Sequence, residues 1–114
     1  MAEGRSTPHR VDAVTSLAKR DPREEVRSLA VRVLSGYKDS PETVALRGQV
    51  FQTLVEVAKG KEFVEARCQA LMALGRERQP SDSLVEFVRN MSANDPAENV
   101  RSAAGHVLRR WESP

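Results

Sequence analysis

Three arginines stand at matching places in this 114-residue chain: Arg27, Arg67 and Arg101. A guanidinium presents a planar fork of donors that grips carboxylate or phosphate oxygens two at a time. A row of them therefore reads first as a ladder for anions. Two aspartates, Asp21 and Asp95, stand six residues before the first and the last of these arginines. The single cysteine, Cys68, directly follows Arg67. A thiol becomes nucleophilic when cations, histidine or a helix N-terminus lower its pKa, and a position well inside a helix reads instead as a packed cysteine. His9 and His106 lie in opposite terminal segments, and no metal-ligand spacing joins them to Cys68. The chain carries no glycine-rich phosphate loop, nucleophile elbow, paired-histidine motif or Ser-His-Asp set. The expectation is a protein without catalysis, metal or cofactor.

The elements that position the arginines come from an internal repeat. Val26 to Leu34, Ala66 to Leu74 and Val100 to Leu108 align without gaps, at offsets of 40 and 34 residues. Each begins with a small apolar residue and Arg, then places Ala three residues after that Arg (Ala30, Ala70, Ala104) and Leu four further on. Such offsets suit a unit of two helices. The run before two copies also recurs, as Asp21-Pro22 with Glu24 and Asp95-Pro96 with Glu98. It reads as a helix start. The Asp side chain accepts an orphan backbone N–H, Pro at the first helical position has no N–H to leave unpaired, and Glu favours the positive end of the helix dipole. Further starts are expected at Thr7-Pro8, Ser40-Pro41 and Pro80-Ser81, with stops around Gly36, Gly60 and Gly75, where glycine can take a left-handed cap. Six helices result, near 8–20, 22–37, 41–59, 61–77, 81–93 and 96–112, after a disordered segment 1–7. Apolar spacing of three and four, as in Val26, Ala30, Val33, Leu34 and Tyr37, supports helix over strand.

The Asp-Pro…Val-Arg…Ala…Leu pattern resembles HEAT repeats, in particular the short bacterial kind also found in bilin-lyase-like proteins. The resemblance covers about residues 8–112, as repeats near 8–38, 41–77 and 81–112. It implies an all-α fold, a right-handed α-solenoid of three antiparallel helix pairs. It also implies that each Arg pairs with an Asp of its own or the adjacent repeat, tying helix ends together, so that Asp21, Arg27, Arg67, Asp95 and Arg101 form a structural ladder. The middle copy departs from the pattern, with Lys61 where the others have Asp21 and Asp95. Arg67 is thus expected to be free or to pair with Asp21 or Asp95.

Composition narrows the class. The chain is 39% apolar and 30% charged with net charge +2, as expected of one soluble domain with a modest core. No apolar run reaches the length of a membrane span, and the start lacks a signal-peptide pattern, so a cytoplasmic address and no membrane partner are expected. Residues 1–38 hold eight Lys or Arg against five Asp or Glu. That is a mild basic bias, well short of the concentrated stripe usual in nucleic-acid binders.

Val14, Leu17, Leu29, Val33, Leu34, Phe51, Leu54, Leu74, Phe87, Val88, Val107 and Leu108 are expected as core, and Trp111 as a plug at the C-terminal end. With the core arc of the second helix centred on Val26, Ala30, Val33 and Tyr37, the opposite arc faces the concave side of the stack. Aligned rows there are Ser28, Cys68 and Ser102; then Val31, Leu71 and Gly105; then Arg32, Met72 and His106. Apolar groups rimmed by polar ones are common at interaction sites. These residues are the expected partner surface of a scaffold or adaptor that binds a protein or peptide. Alternatives are nucleic-acid or polyanion binding through Lys19, Arg20, Arg23, Arg27 and Arg32, a bilin-lyase-like cofactor-handling role, and homodimerisation through the Val107, Leu108 and Trp111 stripe.

Overall fold

The computed structural model describes the backbone of residues 2–39, 46–61 and 63–112, and side chains in those ranges from Arg10 on, except at 38 and 39. The described residues contain six helices and no strand: α1 (Ala2–Arg20), α2 (Glu24–Asp39), α3 (Arg47–Lys59), α4 (Val64–Leu74), α5 (Asp82–Asn94) and α6 (Glu98–Glu112). The start read at Ser40-Pro41 lies outside the described residues. Thr7-Pro8 falls within α1, which already runs from Ala2 through the segment read as disordered.

The repeated starts begin two residues later than expected. Oδ1 of Asp21 accepts the Arg23 N–H at 2.9 Å, and Oδ1 of Asp95 accepts the Ala97 N–H at 2.9 Å, side-chain turns that leave Arg23 and Ala97, not the aspartates, directly before α2 and α6. Ser81 caps α5, its Oγ accepting the Leu84 N–H at 3.1 Å. The middle copy, where Lys61 cannot accept, is capped from outside. A carboxylate oxygen of Glu24 on α2 accepts the Glu65 N–H at the start of α4 at 3.3 Å. Phe63 occupies the α4 cap position at φ 57, ψ 68. A left-handed conformation in a non-glycine residue costs on the order of 1–3 kcal/mol, and the Arg27 guanidinium 4.4 Å from the Phe63 ring centroid helps offset it.

Gly60 and Gly75 do end α3 and α4, but at φ −58 and −65, so neither takes the expected left-handed cap. Gly75 serves close approach instead. A Cβ there would sit 2.9 Å from Cγ2 of Val107 on α6. Gly36 does not stop α2, which continues to Asp39, because one interior glycine costs only about 1 kcal/mol against tertiary packing.

Helices pack chiefly within the pairs α1–α2, α3–α4 and α5–α6. The second helices also meet directly, α2 on α4 and α4 on α6, and α1 touches α3. The Cα extents are 48 × 34 × 17 Å, and the short one fits two layers of helices at the usual spacing of about 8–10 Å. α4 lies in the middle of three neighbours, so a broad face of it is buried: Ala66, Arg67, Ala70, Leu71, Ala73 and Leu74, with Glu65 and Met72 left exposed on the other side. The alanines of that face let neighbours approach closely.

Leu34, Leu54, Leu74, Val88 and Val107 are buried as expected, with Val14, Phe51, Phe87 and Leu108 packed against them. Leu17, Leu29 and Val33 are exposed instead. On α2 the buried residues are Ala30, Val31, Leu34 and Ser35, an arc turned by about 100°, one residue of helix, from the expected one. The reason is that α2 carries aliphatic residues at 26, 29, 30, 31, 33 and 34, so spacing alone leaves its phase open. Contacts with α1 and α4 decide it. At the other end Trp111 is half-buried and its Nε1 donates to the Glu77 carbonyl at 3.1 Å, fastening α6 to the chain after α4.

Candidate binding surface and the arginine junctions

The rotation of α2 reassigns the expected surface. Val31 and Leu71 are fully buried and belong to the core, not to a groove. Ser28 and Cys68 are half-buried, and Ser28 Oγ is enclosed without a hydrogen-bond partner among the described residues. Gly105, the third member of the Val31 row, is half-buried. Ser102 is exposed. The remaining row, Arg32, Met72 and His106, is exposed throughout, one residue on each of the packed helices α2, α4 and α6. Beside it Nη1 of Arg76 donates to Ser35 Oγ at 2.8 Å, a link from the end of α4 back to α2.

Cys68 is not an activated thiol. Burial pushes its pKa up, and the Glu65 carboxylate adds to the rise more than Arg67 counters it. No three His, Cys, Asp or Glu residues among those described gather as metal ligands. The side chain of His9 lies outside the described residues. No described helix is long and apolar enough to cross a membrane.

The three arginines do not form one exposed ladder. Arg27 Nε donates to the Asp21 carbonyl at 2.5 Å, and Arg101 Nη1 to the Asp95 carbonyl at 2.7 Å. Each thus clamps the turn before its own helix through the aspartate's backbone, while the aspartate's carboxylate closes the same turn. The Asp21 carboxylate also holds the Arg23 side chain through two bonds of 3.1 Å, and this pairing keeps its pKa below the ordinary value. Arg67 alone reaches a carboxylate. Its Nη1 meets Asp95 Oδ1 at 3.3 Å, its Nη2 meets Oδ2, and its Nε donates to the Ala58 carbonyl at 3.1 Å. Both side chains of this pair are almost wholly buried. Arg67 therefore joins the end of α3 to the start of α6, and Asp95 is the one of its two expected partners that it reaches.

A cavity of about 340 Å³ opens beside each junction. One is lined by Lys59, Arg67, Asn90, Met91, Asn94 and Asp95, among others. The other is lined by Lys19, Arg27, Glu56, Val57, Gly60 and Lys61, with Ala18, Phe63 and Ala66. Those two sets of six are the same positions shifted by the repeat offsets, with Lys61 standing where Asp95 stands. In the latter cavity, beside Arg27, Lys19 Nζ lies 2.8 Å from a Glu56 carboxylate oxygen. Lys61 and Phe63 stand outside the site residues expected from the sequence. The signal for Lys61 was its place in the aligned Asp column, and nothing in the sequence marked Phe63.

Comparison with known proteins adds no relative: no family model, curated protein or solved structure matches this chain.

Proposed function

We propose that the chain is a short right-handed α-solenoid of three helix pairs, of the HEAT kind, and that it acts without catalysis as a scaffold binding a protein or peptide. The packing of each helix on its hairpin partner, with the second helices side by side, supports the solenoid reading. The observation that carries the binding reading is the exposed row of Arg32, Met72 and His106 across α2, α4 and α6. Met72 is 41% exposed, and a thioether side chain adapts to irregular partner surfaces. A cation at one end and an imidazole at the other supply polar contacts around it.

The test separates surface from core at adjacent residues. Met72→Glu combined with Arg32→Glu is expected to keep the native thermal midpoint and to lose the partners that the otherwise native chain captures by photo-crosslinking from exposed position 102, where both chains carry the probe. Leu71→Glu, one residue away, is expected to unfold the domain, since an unpaired buried charge costs several kcal/mol. Full retention of those partners by the folded double variant sinks this reading.

Polyanion binding through the first repeat has less support. Lys19 pairs with Glu56 and Arg23 with Asp21, while Arg27 is half-buried on Phe63. Of the five residues expected for it, Arg20 and Arg32 are exposed without an ion-pair partner among the described residues, and two such charges are too few for the steep salt dependence of a nucleic-acid binder.

A further inference from the structure

The repeat supplies an internal comparison of one cavity in two chemical states. At the second junction the guanidinium of Arg67 is met by the carboxylate of Asp95. At the first junction Arg27 occupies the place of Arg67, Lys19 that of Lys59, and Ala18 that of Ala58. The Asp95 position is filled by Lys61, so a cation has replaced the anion. Arg27 spends its Nε on the Asp21 carbonyl and its face on Phe63, and its Nη groups make no hydrogen bond among the described residues. Three described carboxylates around it are engaged elsewhere. Asp21 holds Arg23, Glu56 holds Lys19, and Glu24 caps α4. The opening is therefore lined by Arg27 and Lys61, with Glu56 held by Lys19 at its side, and no described carboxylate meets the Arg27 fork as Asp95 meets that of Arg67.

We propose that this first-junction cavity is an oxyanion site, receiving a carboxylate or phosphate group from outside in the place that Asp95 fills at the second junction. The planar guanidinium of Arg27 would take two oxygens, as Arg67 does, and the exposed ammonium of Lys61 would take a third contact at the mouth. Val57, Ala66 and the Phe63 ring form an apolar wall that limits water around the ion pair. Stacking on Phe63 also keeps the Arg27 fork oriented before an anion arrives. This site stands apart from the exposed row on α2, α4 and α6, and either can fail without the other.

The test is a nitrogen–proton NMR titration of the full chain, including the arginine Nε–H signals, with sodium phosphate and separately with sodium acetate at constant ionic strength. Saturable shifts are expected at Arg27 Nε–H, Gly60, Lys61 and Phe63, with the Arg67 Nε–H unmoved. Response to acetate alone assigns the site to an acidic side chain, response to phosphate alone to a phosphorylated group, and response to either supports it. Lys61→Asp should rebuild the internal pair, weaken anion binding at least about tenfold and raise the thermal midpoint. Lys61→Ala, which removes charge at an exposed position, should weaken binding less and leave the fold unchanged. No saturable shift with either anion overturns the proposal. So does a titration that is the same in folded Lys61→Asp and Lys61→Ala as in the native chain.

Discussion

A guanidinium as buried as that of Arg67 is tolerated only when its donors are met, and here a carboxylate and a carbonyl meet them. Removing one partner leaves the other charged and enclosed. Arg67→Met and Asp95→Ala are each expected to cost about 3–5 kcal/mol in urea unfolding, and combining them should cost less than the sum. The pair also sets a pH dependence. Burial alone would raise the Asp95 pKa, but hydrogen bonds from Arg67 and the Ala97 N–H, with the charges of Arg67 and Arg101, hold it below the ordinary value. A carboxylate depressed in the folded state binds fewer protons there than in the unfolded chain. Its contribution is full above the unfolded value, about 4, and is lost as pH falls through the folded one. The native urea midpoint should therefore drop more steeply than that of Asp95→Asn below about pH 4.

At the scale of the element, α4 is held by things outside it. Its N-terminus borrows Glu24 from α2, and its C-terminus depends on the absence of a side chain at Gly75, against which Val107 packs. Valine has one stiff torsion and cannot swing aside cheaply. Gly75→Ala is expected to destabilise by about 1–3 kcal/mol through overpacking, and Val107→Ala in the same chain should recover part of that. Because Gly75 has a right-handed helical backbone, the loss would come from contact and not from backbone strain. A native-like melt for Gly75→Ala would show that α6 can retreat from α4. The same dependence on neighbours explains why the starts at Asp21, Ser81 and Asp95 were legible while the start of α4 was not. The first three carry their own acceptor, and the fourth receives one from 41 residues away.

For the whole molecule, α4 touches all three pairs: α2, its partner α3, and α6. Arg67 adds a polar tie from the middle pair to the last. Three repeats are also about the smallest stack that buries its own faces. Unfolding should then be one cooperative transition. Far-ultraviolet circular dichroism, which reports all helices, and fluorescence of Trp111, which reports the α6 end, are expected to give coincident urea curves. A Trp111 transition at lower urea would mean that the last pair detaches first.

The amino-acid sequence by itself determined the helical class, the repeat period and which residue types stand at the junctions. Asp-Pro starts, a serine cap and the Arg column are local features, readable because each acts within a few residues. It also held the departure at Lys61, visible once the copies were aligned. The tertiary structure decided which way α2 faces. An aliphatic ring of Leu29, Ala30, Val31, Val33 and Leu34 satisfies several phases, and only the positions of α1 and α4 bury Val31 while exposing Leu29 and Val33. The tertiary structure also decided that Arg67 meets a carboxylate 28 residues away while Arg27 lies against an aromatic ring. Which charge a side chain meets across a helix junction depends on packing distance, and no spacing along the chain encodes it.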